Sequence, residues 1–394
     1  MSSIDFSLSN YVSKLPHFEL DRDLTIPRNV MGTWAFLAGD RKLIHRIAQY
    51  FCRYREQALC LKIWQYPIHT ELLSELNWGR YFNMEKEPSI DVNKSGSLLE
   101  ALKVQQFASG LGLAPPVFGI FVLMTKQAKF VAILTQHPKA LPAVAWREPQ
   151  EIVDKIDEMA VKFGFDRPWG DVETANNFIN GRLIDWQHAK FSPQYTDFLR
   201  EFYLSNTQFG ASKYQTASPI GVTEGIRDSD KRISDLGLDM LEFSGSTILD
   251  LGCNGGQMLN YALTRGARFG LGIDWPKVIQ AAAYLSNYLG HFNVQYLSHA
   301  LHEGLPYDDM PLRRFDYVLN LSMVTHIGVP DYLTDLSKIM VIEINHPEQV
   351  EMARAALAPN WNIAEMGKST DHGDRTIWHC YNKAVFGGYV GSGP

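Results

Sequence analysis

An apolar run that ends in an acid and passes at once into closely spaced glycines is the clearest chemical feature of the 394-residue sequence. It covers residues 247–257, which read Thr-Ile-Leu-Asp-Leu-Gly-Cys-Asn-Gly-Gly-Gln, and a helical pattern follows. The pattern predicts a strand, a tight turn and a helix. Such a turn presents backbone N–H groups and the positive end of a helix dipole, and its glycines let a ligand approach without a Cβ in the way. We therefore expect a ligand at residues 252–256, called the glycine turn below.

The spacing of the glycines distinguishes between two nucleotide-type ligands. A dinucleotide fold requires G-x-G-x-x-G, but counting from Gly252 the second and third glycine positions hold Asn254 and Gln257. The stretch instead resembles motif I of the class I S-adenosylmethionine-dependent methyltransferases. The resemblance rests on one acid and three glycines, namely Asp250, Gly252, Gly255 and Gly256.

The next predicted strand extends this resemblance. It covers residues 268–273 and is followed by Asp274, where the family places the acid that accepts both ribose hydroxyls. A dinucleotide fold also has an acid at this position, so only the glycine spacing distinguishes a dinucleotide site from an S-adenosylmethionine site. Asp274 could also cap the following helix, and Asp250 could serve only to hold the turn. The implied S-adenosylmethionine site consists of Asp250, Gly252, Cys253, Asn254, Gly255, Gly256 and Asp274.

Polar residues also follow two strands predicted further along the chain. His326 comes after the fourth strand of this region, where the resembled family often lines its methyl-transfer site. It is our candidate general base for an acceptor hydroxyl, and packing of a histidine at a strand end explains it equally well. Glu343 and His346 end the fifth strand at the same edge of the sheet, and a structural role is favoured for both.

An acid, an asparagine and a second acid in the first half of the chain stand in an order that suits phosphoryl transfer. Asp171 precedes Asn176 by five positions, and Asp185 follows a short apolar strand. In that chemistry the first carboxylate orients or deprotonates the accepting hydroxyl, while the amide and the second carboxylate are ligands of Mg²⁺ on the phosphates. The stretch resembles the catalytic loop and metal-binding segment of kinases of the aminoglycoside-phosphotransferase and lipopolysaccharide-kinase type.

The kinase resemblance implies ATP with Mg²⁺ as a second cofactor. Asp171 then matches the catalytic acid, and Asn176 and Asp185 match the metal ligands. Lys62, which lies inside an apolar strand, matches the β3 lysine of the ATP site, and Glu100 matches its helix partner, with Glu71 and Glu75 as alternatives. Two simpler interpretations stay open, because Lys62 could be an interfacial lysine and Glu100 could belong to the capping box of a helix that starts near residue 98.

Composition limits the class of protein. Apolar residues at 45% and charged residues at 20% are ordinary globular values. The formal net charge of −6 provides no basic field, which argues against nucleic acid as the main partner. Four cysteines without a C-x-x-C pair, no recognisable signal peptide and no membrane-length apolar run predict reduced thiols, a cytoplasmic location and no membrane span. The sequence makes no prediction of the oligomeric state.

The order of predicted elements divides the chain. We expect an α+β kinase-like domain over 1–205, a polar linker over 206–225, a methyltransferase domain over 226–385 and a flexible tail over 386–394. Strands and helices alternate after residue 226, which predicts an α/β Rossmann-like domain with a mostly parallel seven-stranded sheet. Ligands of such a sheet bind at the carboxyl ends of its strands.

The sequence therefore predicts a methyltransferase fused to a kinase-like domain. It could be a bifunctional kinase-methyltransferase that acts on a hydroxyl or phosphate of a glycan or small molecule. Trp169, which stands where the kinases usually have a histidine, favours an alternative in which the kinase-like domain is an inactive scaffold. A second alternative is an RNA-modifying methyltransferase whose first domain presents the RNA.

Overall fold

The structure is a computed structural model. It describes residues 7–13, 47–54, 57–64, 98–124, 129–136, 141, 148–166, 178–184, 186, 189–209, 212–370 and 373–387. The chain divides into two compact units, Met1–Phe198 and Leu199–Pro394. The division falls inside one helix, Pro193–Asn206.

The first unit contains a five-stranded antiparallel sheet. Its strands, in the order β1-β4-β5-β3-β2, are β1 (Ser7–Ser13), β2 (Ile47–Tyr54), β3 (Gln57–Trp64), β4 (Val117–Met124) and β5 (Lys129–Gln136). The sequence also predicts a hairpin of residues 117–124 and 129–134, and the pairing of β4 with β5 confirms it. A strand-like region is likewise predicted over residues 43–64, and the structure places the hairpin of β2 and β3 within it.

Helices of the first unit pack through an aromatic cluster. They are α1 (Leu98–Gly110), α2 (Pro149–Phe163) and the first part of α3 (Pro193–Asn206). Phe107 of α1 makes edge-to-face contacts with Phe163 of α2 and Tyr195 of α3, with ring centroids 5.2 and 5.1 Å apart. Edge-to-face contacts of buried rings stabilise such packing beyond area burial alone. Two pairs of short strands lie between α2 and α3, namely β6 (Phe165–Asp166) with β9 (Lys190–Phe191) and β7 (Phe178–Ile179) with β8 (Arg182–Leu183).

The second unit is built on a seven-stranded sheet with the order β14-β13-β12-β15-β16-β18-β17. Its strands are β12 (Thr247–Leu251), β13 (Phe269–Asp274), β14 (Val294–Ser298), β15 (Phe315–Leu321), β16 (Ser337–Ile344), β17 (Trp361–Lys368) and β18 (Thr376–Asn382). The first five in this spatial order pair in parallel, and β18 runs antiparallel to both neighbours. The predicted mostly parallel, Rossmann-like sheet is confirmed. A small hairpin of β10 (Gln208–Phe209) and β11 (Ser212–Lys213) precedes it.

Apolar side chains on both faces of the seven-stranded sheet form two clusters. The strands β12, β13, β15 and β16 are consequently buried along most of their length, and every residue of β12 is buried, whereas the edge strand β14 is mostly half-buried. The covering helices are α4 (Ser229–Asp235), α5 (Gln257–Thr264), α6 (Pro276–Tyr288), α7 (Val324–Ile327), α8 (Tyr332–Leu336), α9 (Pro347–Leu357) and α10 (Lys383–Phe386).

The sequence predicts helices over about 230–243 and over 330–338, and both are shorter in the structure; the segment predicted as a linker contains buried residues. The helix expected from about 230 to 243 ends at Asp235, because Gly237 adopts a left-handed conformation (φ 62°) and a 3₁₀ turn follows. The helix expected over 330–338 is shortened to α8, and residues from Ser337 onward already belong to β16. Residues 206–225, expected to be a linker, include buried Gln215 and Ile220, and backbone bonds join this segment to Arg227.

Candidate cofactor and acceptor site

Four polar residues meet at one edge of the seven-stranded sheet because parallel strands end on the same side. Asp250 is the last but one residue of β12, and Asp274 ends β13. Ser322 follows β15 directly, and Glu343 lies near the end of β16. The register confirms their alignment, since Asp250 pairs with Gly272 and Leu319, and Leu321 pairs with Glu343. The carboxyl edge of this sheet is therefore the candidate site.

The glycine turn contains backbone conformations that residues other than glycine rarely adopt. Gly252 and Gly256 have φ values of 72° and 75°, and Asn254 has φ 47°. A Cβ on Gly256 would lie 2.6 Å from the hydroxyl oxygen of Tyr296, and one on Gly255 would lie 2.6 Å from Cζ of Tyr203. Conformation and space both require glycine here, so the three-glycine spacing read from the sequence has a structural cause.

Asp274 connects the end of β13 to the glycine turn. Its Oδ2 accepts a hydrogen bond of 2.7 Å from the backbone N–H of Asn254, and its Oδ1 accepts one of 2.7 Å from the N–H of Trp275. Burial raises the pKa of Asp274, while these two bonds and the nearby charge of His326 lower it. Each carboxylate oxygen keeps a second lone pair, which leaves room for the ribose hydroxyls expected at this acid.

A buried polar network supports the glycine turn from behind. Asn260 donates from Nδ2 to the carbonyl oxygen of Gly256 at 2.9 Å and accepts at Oδ1 from the hydroxyl of Ser286 at 2.8 Å. The Ser286 hydroxyl also bonds the Tyr296 hydroxyl at 2.7 Å. Nearby, Gln257 donates from Nε2 to the hydroxyl of Tyr203 at 3.2 Å. These contacts hold the turn in one geometry before any ligand binds, which is how a binding site gains affinity by preorganisation.

Asp250 is a buried carboxylate, 2% exposed, and its side chain makes no hydrogen bond with another described residue. Burial raises its pKa to about 7; Arg232 acts in the opposite direction, and Asp274 adds to the increase. A buried acid without a hydrogen-bonding partner is costly unless it protonates or meets a cation. Asp250 is thus suited to pair with a positively charged ligand group at the glycine turn.

Glu343 lies at the centre of an ionic cluster that sequence reasoning missed. Its Oε1 accepts from Nη2 of Arg227 at 2.6 Å, and its Oε2 accepts from Nη2 of Arg232 at 2.8 Å and lies 3.4 Å from Nη1 of Arg375. Ser322 also donates its hydroxyl to Oε2. Burial alone would raise the pKa of Glu343, but the two nearer arginines and the hydroxyl lower it to about 2. We call these residues the Glu343 cluster.

One signal in the sequence could have predicted that Glu343 is paired, though not with which residues. Glu343 stands inside the apolar run of residues 339–344, and a charge in such a run requires a partner. The partners themselves could not have been predicted, because they lie more than 100 residues upstream or 32 residues downstream of Glu343.

Ser322 has a strained backbone at the centre of the carboxyl edge. Its φ of 65° is in the left-handed region, and its N–H donates to the carbonyl oxygen of Glu343 at 3.0 Å. Asn345 donates to the carbonyl oxygen of Ser322 at 3.3 Å. Strain of this kind costs of order 1–3 kcal/mol and persists where the surroundings enforce it, often at functional sites. The bonds from Ser322 to Glu343 and from Asn345 to Ser322 are the surroundings that hold this backbone conformation.

His326 lies in the short helix α7 that follows Ser322, and its side chain is exposed. Its charge acts on Asp274, so the imidazole lies at the same edge as the predicted ribose acid. No described residue donates to or accepts from its ring, and its assignment as a base stays a prediction. His346 directly precedes α9, and its Nδ1 lies 3.9 Å from Oε1 of Glu348, with both side chains exposed; its structural role stays a prediction.

The predicted kinase residues are mostly beyond the part of the chain that the structure describes. Asp171, Asn176 and Asp185 and the side chain of Lys62 lie outside the described residues. The backbone of Lys62 lies in β3, which is flanked by β2 and β5. Glu100, in the first turn of α1, accepts from Lys103 at 2.7 Å. Within the described ranges, no three His, Cys, Asp or Glu side chains form a group that could hold a metal ion.

Two further predictions concern cysteines and membranes. Cys253 and Cys380 are buried free thiols, and burial raises the pKa of both. None of the helices in the described part of the chain has the length and apolar character needed to cross a bilayer.

The sequence matches no family model and no curated protein. Similar solved structures include WbdD, which is 19% identical over 48% of this chain and 47% of that chain, with a TM-score of 0.37. Another structure of WbdD is described as a bifunctional kinase-methyltransferase. This chain therefore covers less than half of WbdD as solved.

Two other similar structures are of a methylase and of a methyltransferase. The ribosomal protein L11 methylase of Lactobacillus delbrueckii subsp. bulgaricus is 16% identical over 39% of this chain and 77% of that chain, with a TM-score of 0.32. The magnesium protoporphyrin IX methyltransferase of Synechocystis PCC 6803, with bound SAH, is 15% identical over 39% and 81%, with a TM-score of 0.31. Sequence identities of 15–19% and TM-scores of 0.31–0.37 do not assign a function to the site, which depends on this chain's own residues.

Proposed function

We propose that residues 199–387 form an S-adenosylmethionine-dependent methyltransferase. The observation that carries the proposal is the pairing of the glycine turn with Asp274, which accepts the N–H of Asn254 and borders the turn with a carboxylate suited to ribose hydroxyls. Glycine at 252, 255 and 256 without G-x-G-x-x-G spacing argues against a dinucleotide. Asp250 adds a buried carboxylate for the ammonium group of the methionine part.

The residues of the site have distinct tasks in this reaction. S-adenosylmethionine supplies a methyl group that its sulfonium already makes electrophilic. The protein therefore has to hold the cofactor and acceptor in line and exclude water. Asp274 and the glycine turn orient the adenosine part, and Asp250 orients the methionine part. His326 takes the proton if the acceptor is a hydroxyl, whereas a phosphate acceptor is already anionic and needs cations for positioning instead.

A thermal-shift comparison tests this assignment against the dinucleotide alternative. A ligand that binds only the folded chain raises Tm in proportion to the logarithm of its concentration over Kd. We expect S-adenosylhomocysteine to raise the Tm of the full chain and NADH to leave it unchanged. The reverse result would assign the glycine turn to a dinucleotide.

A second candidate, a bifunctional kinase-methyltransferase, is favoured by one observation in the first unit. Lys62 lies on a strand flanked on both sides within an antiparallel sheet, and Glu100 lies in the first turn of a helix further along the chain. Kinases place the ATP-binding lysine on a strand and its glutamate partner on the following helix. The alternative, an inactive scaffold, predicts the same backbone without nucleotide binding.

Calorimetric titration of ATP with Mg²⁺ into the full chain separates these two candidates. The bifunctional candidate predicts saturable binding that is lost in Asp185→Ala and kept in Asp154→Ala, which changes an exposed acid on helix α2. An inactive scaffold gives no heat of binding in wild type while S-adenosylhomocysteine still binds.

A further inference from the structure

The glycines of the glycine turn are required for different reasons. Gly252 and Gly256 have left-handed backbones, with φ of 72° and 75°, whereas the backbone of Gly255 is not left-handed. Space alone excludes a side chain at position 255, because a Cβ there would lie 2.5 Å from Cε2 and 2.6 Å from Cζ of Tyr203. Atoms in a close-packed interior do not approach one another so closely. Residue 255 is therefore glycine because Tyr203 occupies the place of its side chain.

Tyr203 comes from outside the seven-stranded sheet. It lies in the part of helix α3 that belongs to the second compact unit. Next to it, Phe202 packs on Tyr284 of α6, with ring centroids 5.1 Å apart. Nε of Arg200 donates to the carbonyl oxygen of Ile220 at 2.7 Å. These contacts hold the C-terminal half of α3 in a fixed position beside the glycine turn.

The hydroxyl of Tyr203 also contacts the start of helix α5. Tyr203 is fully buried, and its hydroxyl oxygen accepts from Nε2 of Gln257, the first residue of α5, at 3.2 Å. Burial raises the pKa of Tyr203 and outweighs the opposite effect of its hydrogen bonds with Gln257 and Thr207, so the hydroxyl is neutral at physiological pH. Tyr203 thus contacts the chain at two points, the backbone of Gly255 and the side chain of Gln257.

A second tyrosine holds the neighbouring glycine. A Cβ on Gly256 would lie 2.6 Å from the hydroxyl oxygen of Tyr296, and that hydroxyl bonds the hydroxyl of Ser286 at 2.7 Å. Tyr296 stands on β14 and belongs to the sheet, whereas Tyr203 is supplied by α3. The path of the backbone through the glycine turn is therefore set from two sides, and one of the two lies outside the sheet.

We propose that Tyr203 is a positioning residue of the cofactor site, which holds Gly255 and the start of α5 in the conformation that binds S-adenosylmethionine. The proposal rests on the methyltransferase function and adds to it a residue that supports the glycine turn from α3. Tyr203 acts through Gly255 and Gln257 and needs no contact with the cofactor. A turn that loses this support has to be ordered again when the ligand binds, which lowers affinity.

A double-mutant cycle between Tyr203 and Gly255 tests the proposal, with the affinity of the full chain for S-adenosylhomocysteine measured by calorimetry. Gly255→Ala alone should weaken binding at least about tenfold, because its Cβ displaces Tyr203 or the turn. Tyr203→Leu alone should weaken binding at least about threefold, because the turn is no longer preorganised. Adding Gly255→Ala to Tyr203→Leu should change affinity less than about twofold, because the clash is gone.

Tyr317→Leu is the matched control. Tyr317 is also a buried tyrosine, and its hydroxyl donates to the carbonyl oxygen of Glu242 at 2.7 Å. It lies near the start of β15, away from the carboxyl edge of the sheet. Tyr317→Leu should lower Tm, as Tyr203→Leu does, and bind S-adenosylhomocysteine as wild type does.

Two results would overturn the proposal. If Tyr203→Leu lowers Tm but keeps the affinity of wild type for S-adenosylhomocysteine, Tyr203 contributes to stability alone. If Gly255→Ala weakens binding equally with and without Tyr203→Leu, Tyr203 is not what constrains Gly255. Failure of the methyltransferase assignment would look different, because wild type would then not bind S-adenosylhomocysteine at all.

Tyr203→Phe replaces Tyr203→Leu if the leucine variant does not fold. Phenylalanine keeps the ring and removes only the hydroxyl that accepts from Gln257. Loss of one hydrogen bond should weaken S-adenosylhomocysteine about threefold to tenfold. Affinity equal to that of wild type would contradict the proposal.

Discussion

Asp250 and Glu343 are two buried carboxylates at the same edge of one sheet, and their surroundings shift their pKa values in opposite directions. Burial dominates at Asp250 and raises its pKa to about 7. At Glu343 burial is outweighed by Arg232 and Arg227, and its pKa falls to about 2. Their contributions to the free energy of unfolding therefore change with pH in opposite directions. Asp250 is available to a ligand, whereas Glu343 is already paired.

The pH dependence of stability tests the environment of Asp250. Its pKa is higher in the folded chain than in the unfolded chain, so folding is favoured while both forms are protonated and becomes less favoured as pH rises from about 4 to about 7. Asp250→Asn removes this loss, so the variant should gain stability over wild type across that interval, by an amount on the order of 2–4 kcal/mol. Urea unfolding at pH 5 and pH 8 measures it. Parallel pH profiles for the two proteins would contradict a buried, unpartnered carboxyl.

Removing the charge of Glu343 should have the opposite effect at neutral pH. Glu343→Gln leaves the buried guanidinium groups of the Glu343 cluster without their shared carboxylate, and we expect a loss of about 3–5 kcal/mol in the free energy of unfolding. Because the pKa of Glu343 is lowered, its contribution in wild type is present above pH 4.5 and disappears as pH falls toward 2.

Glu365→Gln is the matched control for Glu343→Gln. Glu365 pairs with Arg354 at the surface, where the two side chains are 58% and 38% exposed. An exposed pair contributes about 1 kcal/mol or less. Equal denaturant midpoints for the two variants would show that the Glu343 cluster is not stabilised by its central carboxylate.

At the scale of the element, the turn between β12 and α5 combines conformational and packing demands on glycine. Gly256 needs a left-handed backbone and also packs directly against Tyr296 and Ala282. Gly245 has the same backbone demand, with φ 69°, but a Cβ there would meet no atom within 4 Å. An alanine substitution at Gly245 therefore introduces backbone strain alone, whereas one at Gly256 also changes the geometry of the glycine turn.

We predict that Gly256→Ala weakens S-adenosylhomocysteine by at least about tenfold, whereas Gly245→Ala leaves affinity unchanged. Both variants pay about 1–2 kcal/mol for the left-handed conformation, and only Gly256→Ala also displaces Tyr296 and the turn. Calorimetric titration of both variants measures the effect. Equal affinities would mean that the glycine turn does not contact the ligand.

Periodicity predicted most of the elements that build this site, and the exceptions have physical causes. The strands β12, β13, β15 and β16 could be predicted because buried parallel strands read as apolar runs bounded by turn residues. The glycine turn could be predicted because its spacing is dictated by local geometry. The Glu343 cluster could not, because Arg227, Arg232 and Arg375 reach it from distant segments, and pairing between distant charges leaves no local pattern.

At the scale of the whole molecule, the chain combines an antiparallel sheet unit with a parallel sheet unit, and its formal net charge is −6. An RNA-modifying enzyme would require a local basic surface to attract phosphates. The arginines of the Glu343 cluster do not provide one, because two of the three are buried.

We therefore predict that the full chain does not bind single-stranded RNA at physiological salt. Fluorescence anisotropy of a labelled oligonucleotide at about 50 and 200 mM salt measures this, since phosphate contacts weaken steeply over that interval. Saturable binding at low salt that is lost at high salt would favour the RNA-modifying alternative.

The central claim is that the carboxyl edge of the seven-stranded sheet binds S-adenosylmethionine through the glycine turn and Asp274. The most direct test is calorimetric titration of S-adenosylhomocysteine into the full-length wild type and Asp274→Ala. We predict one site per chain in wild type, and at least about tenfold weaker binding in a folded Asp274→Ala, because two carboxylate hydrogen bonds to the ribose are lost together. Absence of binding to wild type, or equal affinity in the two proteins, would contradict the claim.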